Sequence, residues 1–387
     1  MMIRTFHSIG QGAFYTERFD DFNFVYDCGT DTDGKKRIEK YVSNHFDINE
    51  EINFLFISHF HRDHINGLEY LFLNYTVKNI FIPQYSIYEH VLEFMHTDRD
   101  INLFDNKLIL NPEQAIESIS PETKIILVRE QENNDEDNDN IIYIENLSSK
   151  TAINSGCSLG CNNINDWVFI PINYKNKENS VIFKGYLNDE GIIFNDTKDF
   201  IKDWCIPSRK RKIIKAFKKL SKNKSDNQNE NSMVVYSGPK NNNSSYMIKV
   251  ISADSYYYSC YFDCILNDYF SNRKKAGCIY FGDYETHDDA WNTIKRVLGK
   301  YYDFAGTIQI PHHGSTENYR NEINKNDYVF SVISYGTTNT HGHPGSFTTE
   351  SILNNNGILL EVTENPSSRL HFVINEGRFK LNHDDIF

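Results

Sequence analysis

Four residues in one short stretch can do chemistry together: His59, His61, Asp63 and His64, in the string FLFISHFHRDHINGL. Imidazole nitrogens and a carboxylate oxygen are the donors that a borderline divalent cation such as zinc takes. His59 and His61 stand two apart, at the mouth of what the apolar run 54–57 predicts to be a buried strand, and can converge on one ion. Asp63 and His64 follow in a tight turn and can face a second. Residues 65–73 continue as a predicted helix with Leu68, Leu71 and Phe72 on its apolar face. Two cations so placed make a dinuclear hydrolytic site.

Further candidates come late in the chain. Asp283 follows a predicted strand over 278–282. His312 and His313 close one over 307–311, and His341 and His343 follow one over 328–335. With the first stretch, seven of the 14 histidines lie at predicted strand ends, a placement that scattered surface histidines would not give. Other predicted elements are strands at 3–9, 22–26, 79–83 and 231–239 and a helix over 35–46.

At 387 residues, 39% hydrophobic, with 27 Phe and 24 Tyr, the chain can bury the core of one large domain or two. A net charge of −13 excludes a general nucleic-acid-binding surface, so any such contact must be local. The beginning of the sequence has no apolar signal region. No run approaches the roughly 18 apolar residues of a membrane span. The expectation is a soluble, cytoplasmic protein with no membrane partner. Seven cysteines, an odd number, argue against a disulfide framework. Cys157 with Cys161 and Cys260 with Cys264 could instead form a structural zinc site or be small buried thiols.

HFHRDH meets in full the HxHxDH signature of the metallo-β-lactamase fold superfamily, and the chain resembles it over residues 3–83 and 230–375. Among its branches, the sequence is most similar to the DNA-uptake (competence-protein) branch. There an Asn-Ser strand start, here Asn231-Ser232, replaces a third histidine of the first metal. The strings around Asp283 (GDYE), His312-His313-Gly314-Ser315 (HHGS) and His343 (GHP) also match. The resemblance implies an α/β fold, the four-layer αββα sandwich, with residues 1–387 as one domain. Residues 85–229 would be an insertion, holding an acidic loop (130–140) and a basic amphipathic helix (209–224). That insertion could recruit a protein partner, and its basic helix is either a docked, solvated helix or a phosphate contact. Asp27, in a D-x-G turn, would orient a ligand rather than bind metal.

The resemblance further implies two divalent metal ions, Zn²⁺ or Mn²⁺. His59 and His61 would hold the first, and Asp63, His64 and His343 the second, with Asp283 bridging. The catalytic set would be His313, Asp63 and His312, with His313 as proton donor to the leaving oxygen. The reverse assignment, His313 on the metal, is the alternative. The implied activity is a phosphodiesterase or nuclease acting on DNA, RNA or a nucleotide through a bridging metal-hydroxide. A hydrolase of carbonyl substrates and a non-catalytic scaffold subunit are the other readings. Without a third histidine the first metal should be held more weakly and accept Mn²⁺ in place of Zn²⁺.

Overall fold

The computed structural model describes residues 1–131, 140–175, 177–223, 232–241, 246–252, 275–286, 288–324 and 329–376. Most of the acidic run 130–140, Asn231, Cys260 and Cys264 fall outside them. The amino-terminal strands are β1 (Met2–Phe6), β2 (Gly12–Arg18), β3 (Asn23–Thr30), β4 (Glu51–Phe56) and β5 (Thr76–Pro83). The middle of the chain gives β6 (Lys124–Val128), β7 (Ile142–Tyr143), β8 (Thr151–Ile153), β9 (Leu159–Cys161) and β10 (Ile164–Ile172). Then follow β11 (Val234–Pro239), β12 (Tyr246–Ser252), β13 (Gly277–Tyr280), β14 (Ala305–Gln309), β15 (Phe330–Ser334), β16 (Ile358–Val362) and β17 (Leu370–Glu376). Among the described residues these make a nine-stranded sheet, β12-β17-β1-β2-β3-β4-β5-β6-β8, and an eight-stranded one, β16-β15-β14-β13-β11-β10-β9-β7.

The layers follow from strand periodicity. Side chains alternate across a strand, so a strand covered on both faces reads as a continuous apolar run. In β4, Phe54 and Phe56 face the other sheet, while Leu55, and Ile57 just beyond the strand, face helices. In β10, Trp167 and Phe169 face inward, and Val168 and Ile170 face outward. The space between the sheets is filled by stacked aromatics, including Tyr26 on Tyr280 at 5.1 Å and Phe24 on Phe169 at 5.2 Å.

Helices cover the outer faces. On the first sheet lie α1 (Lys35–His45), α2 (Arg62–Ile65), α3 (Leu68–Asn74), α4 (Ile87–Met95), α5 (Phe104–Leu110), α6 (Pro112–Ile119), α7 (Glu178–Asp189), α8 (Thr197–Trp204) and α9 (Pro207–Asn223). On the second lie α10 (Asp288–Leu298) and α11 (Ser346–Asn354), through Trp291, Ile294 and Ile352. The order is helix, sheet, sheet, helix: the expected αββα sandwich.

Residues 85–229, expected as an insertion, do more than decorate this frame. They contribute β6 and β8 to one sheet, β7, β9 and β10 to the other, and helices α4 to α9. The basic helix is present as α9. Its Ile213, Phe217 and Leu220 pack into the core, as their spacing indicates. Several of its cations have local partners: Arg209 with Asp203 at 2.6 Å, Lys215 with Glu190 at 2.6 Å and Lys219 with Asp189 at 3.3 Å. The five described cysteines, Cys157 and Cys161 among them, are free thiols. Among the described residues no helix is long and apolar enough to cross a membrane.

One polar network ties the two sheets together. Arg4 of β1 and Glu17 of β2 form a fully buried ion pair at 2.7 Å. Tyr280 and Ser237, from the opposite sheet, donate to Glu17 at 2.9 and 2.5 Å. Removing one partner of such a pair strands the other charge, so Glu17→Ala should lose about 3–5 kcal/mol in chemical denaturation. Arg4→Met combined with Glu17→Leu should recover most of the loss. A Glu17→Ala protein within about 1 kcal/mol of wild type would contradict this role.

Candidate metal centre

The first sheet runs β3-β4-β5-β6 in parallel, and the second runs β13-β14-β15-β16 in parallel. Loops at the carboxyl ends of parallel strands are where such sheets gather ligands. The loop after β4 carries His59, His61, Asp63 and His64. The loop after β13 carries Asp283, and the one after β14 carries His312 and His313.

Their donor atoms fall into two groups that share one carboxylate. His59, His61 and Asp283 form one, and Asp63, His64, Asp283 and His313 form the other. Asp283 spans them: its Oδ1 is 3.2 Å from His64 Nε2 and 3.7 Å from His313 Nε2, and its Oδ2 is 3.9 Å from His59 Nε2. His313 Nε2 is also 3.5 Å from Asp63 Oδ2.

Three imidazoles are held with Nε2 turned inward. His64 Nδ1 donates to Asp27 Oδ2 at 2.8 Å. His313 Nδ1 donates to the carbonyl of Ser334 at 2.8 Å. Ser58 Oγ donates to Asp27 Oδ2 at 2.6 Å, which leaves it to accept from His59 Nδ1 at 2.9 Å. Fixing Nδ1–H in this way selects the tautomer whose Nε2 lone pair can bind a cation. The Nε2 atoms of His59, His61, His64 and His313 are all buried without a hydrogen-bond partner. Buried polar nitrogens are rarely left so, and one cation in each group would satisfy two of them. The donor set therefore fits divalent metal.

Electrostatics agree. Burial alone would raise the Asp283 carboxyl, but His64, His313 and His312 outweigh it and hold it well below its usual range. Burial would lower His64, but Asp283, Asp63 and Asp27 raise it well above the usual imidazole value. His313 is raised for the same reason by Asp283 and Asp63, against its own burial. The carboxylates thus favour the protonated forms of His64 and His313, and a cation bound at Nε2 would displace those protons.

The late histidines are not arranged as expected. His313 stands inside the second group and His343 outside both. The His343 ring packs on His312 at 5.1 Å, and burial with the neighbouring imidazoles of His312, His313 and His341 lowers it to about 4. His312 Nδ1 is 2.9 Å from Asn318 Oδ1, while Asn318 Nδ2 donates to the Asp283 carbonyl at 3.2 Å. That orientation makes Asn318 Oδ1 the acceptor and puts His312 Nε2 on the cleft side, 3.9 Å from Asp283 Oδ2. His312 and His313 both have left-handed backbone, φ 47° and 53°, a conformation that costs a non-glycine residue about 1–2 kcal/mol and is found at functional sites.

Two supporting residues, Ser58 and Gln309, escaped the sequence reading, and a third, Ser232, was part of it. Ser58 sits within the signature string but outside its pattern. Ser232 is the described half of the expected Asn-Ser replacement. Its Oγ accepts from the Asp283 backbone at 3.1 Å and lies 3.3 Å from His59 Nδ1, so it steadies donors rather than joining them. Gln309 accepts from the backbone N–H groups of Phe281 and Gly282, both at 2.7 Å, fixing the turn before Asp283. Gly282 has φ +57°, and a Cβ there would come within 2.4 Å of Ser232 Oγ, so the turn requires glycine.

A cleft of about 680 Å³ opens over the group. Its walls include Arg62, Lys35 and His341, and, from the α4–α5 region, Glu93, Asp98 and Asp105. The middle of the chain thus walls the site.

Residues 12–96 match the family model described as Anti-Pycsar protein Apyc1. That span includes Asp27, His59, His61, Asp63 and His64 but is a minority of the chain. No curated protein matches the sequence. Among solved structures, the metallo-beta-lactamase fold protein YhfI from Bacillus subtilis is similar at 7% identity, with 97% of this chain and 99% of that one covered and a TM-score of 0.38. The short form of human tRNase Z is similar at 13% identity, with 45% and 60% covered and a TM-score of 0.23. None of these is described as a DNA-uptake protein. The two facing sheets with helices on both outer sides are the αββα sandwich that the sequence resemblance implies.

Proposed function

We propose that this protein is a metal-dependent phosphodiesterase with a two-cation centre. The observation that carries the proposal is Asp283, one carboxylate shared by two groups of buried donors whose Nε2 atoms lack other partners. His59, His61 and Asp283 would hold one Zn²⁺ or Mn²⁺. Asp63, His64, Asp283 and His313 would hold the other. Divalent cations at such a centre supply activated water and neutralise charge on a phosphoryl group. His313 takes the ligand place that sequence reasoning gave to His343, and His312 takes the proton-donor role in its doubly protonated form, with Nε2 on the cleft side and Nδ1–H donating to Asn318; burial lowers its pKa, so donation should be strongest toward acidic pH. Arg62, exposed on the cleft wall, is placed to pair with a substrate phosphate.

The substrate class is a nucleotide-sized phosphodiester or the end of a single strand. A 680 Å³ cleft lies in the usual range for small-molecule sites. Its walls carry Asp31, Asp98 and Asp105, which disfavour a long polyanion. Several cations of α9 already pair with Asp189, Glu190 and Asp203, which favours the docked-helix reading over a phosphate contact. The HHGS and GHP strings, shared with the DNA-uptake branch, support phosphodiester chemistry over acyl transfer. The test is a substrate panel with Zn²⁺ and with Mn²⁺: cyclic dinucleotides, single-stranded DNA, RNA and duplex DNA, beside a lactone and a thioester. We expect cleavage of small phosphodiesters or strand ends. Turnover of the acyl substrates alone would overturn the proposal.

Asp27 makes the centre testable from outside its donor set. It accepts from His64 Nδ1 and from both the N–H and the hydroxyl of Ser58. Asp27→Ala should weaken metal affinity by roughly 10–100-fold, as loss of such a supporting group does. A competitive chelator titration measures this, and unchanged affinity would exclude the orienting role.

A further inference from the structure

The first cation site, as read above, has two imidazoles and a shared carboxylate, with no donor that belongs to it alone beyond His59 and His61. Helix α4 offers one. Glu93 lines the cleft, and its Oε2 lies 3.2 Å from His61 Nε2. Among the described residues, it is the one carboxylate oxygen buried without a hydrogen-bond partner. It shares that condition with the Nε2 atoms of His59, His61, His64 and His313. A largely buried carboxylate oxygen facing a buried imidazole nitrogen is stabilised by a proton shared between them or by a cation beside both.

The position of Glu93 is built rather than incidental. Helix α4 begins in a capping box, in which Ser86 and Glu89 satisfy each other's backbone N–H groups. Glu89 also forms a buried ion pair with Lys175 at 2.9 Å. Val91, Phe94 and Met95 bury the other face of the helix in the core. These contacts fix the helix and turn Glu93 toward His61. The spacing is also apt: two donors, each about 2.0–2.2 Å from a tetrahedral ion, stand about 3.3 Å apart.

We infer that Glu93 is a protein ligand of the first cation, drawn in beside His61 to complete the set of His59, His61 and Asp283, whose donor atoms already lie together without it. The inference rests on the two-cation reading and assigns a donor from the middle region of the chain to that site. A set of two imidazoles and two carboxylates is harder than a histidine-rich one, and should shift the site's preference from Zn²⁺ toward Mn²⁺.

The test uses the full chain stripped with chelator and titrated with Zn²⁺, Mn²⁺ and Co²⁺ separately. Calorimetry and the visible absorption of bound Co²⁺ are the readouts. In Glu93→Gln and Glu93→Ala, one of the two binding events should weaken by at least 10-fold and the Co²⁺ spectrum should change, while the other event stays as in wild type. Thermal melts of the stripped variants separate folding failure from ligand loss. Affinity equal to or tighter than wild type, with an unchanged Co²⁺ spectrum, would overturn the inference and leave Glu93 as a proton-sharing partner of His61. His61→Ala tests the underlying reading separately: it should abolish the same event. If it binds both ions as wild type does, the two-cation reading falls and the inference falls with it.

Discussion

Asp283→Ala should abolish both the metal content and the activity of this protein while leaving its fold intact. The carboxylate is the only group common to the two donor sets, with Oδ1 facing His64 and His313 and Oδ2 facing His59. Without it, elemental analysis should give less than one equivalent in place of about two. The charge neutralisation that a two-cation centre supplies amounts to several kcal/mol. At about 1.4 kcal/mol per tenfold, the rate should fall about 10³-fold or more. The turn itself is held by backbone atoms: the Asp283 N–H donates to Ser232 and the Asp283 carbonyl accepts from Asn318. The stripped variant should therefore melt cooperatively, as the stripped wild type does. An Asp283→Ala protein that keeps two equivalents would show that the donor groups are not joined through this residue.

The late histidines should divide by role. His313→Ala removes a donor that lies 3.5 Å from Asp63 and 3.7 Å from Asp283, so one equivalent of metal should be lost, and excess metal should restore part of the activity. His343→Ala should keep both equivalents, because that ring stands outside both groups and packs on His312. His312→Ala should also keep both, yet lose roughly 10²–10⁴-fold in rate, the usual contribution of a positioned proton donor. That loss should shrink for a substrate whose leaving group needs no proton. If His343→Ala sheds metal while His313→Ala retains it, the assignment drawn from sequence is the right one.

What the sequence disclosed and what it hid have physical causes. HFHRDH was legible because its donors are adjacent in the chain, and one strand and one turn suffice to bring them together. The apolar strands were legible too, since β4 and β13 are buried on both faces and carry short apolar runs, Phe54-Leu55-Phe56 and Cys278-Ile279-Tyr280; their ends differ from the expectation by a few residues. The choice between His313 and His343 was not legible, because it depends on the left-handed backbone at His312 and His313, which turns His313 into the group. The middle of the chain read poorly because β7, β8 and β9 are only two or three residues long. Its helices did leave signals, including Ser86 with Glu89 at the start of α4 and Pro112 at the start of α6. Glu93 had no such signal. Nothing in its neighbourhood marks it, and only the packing of α4 across the cleft brings it to His61. Ser58 and Gln309 likewise act through hydrogen bonds that a residue pattern does not encode.

The most direct test of the two-cation centre is calorimetric titration of chelator-stripped wild-type protein with Zn²⁺ and Mn²⁺, run in buffers of different ionisation enthalpy, with phosphodiester hydrolysis followed alongside. Because Asp283, Asp63 and Asp27 raise His64, and Asp283 and Asp63 raise His313, binding at the second donor group should release protons to the buffer. The expected result is two equivalents bound with proton release, and hydrolysis that appears only as the centre fills. A stripped protein that takes up neither ion, or that hydrolyses phosphodiesters as well without metal as with it, would contradict the account.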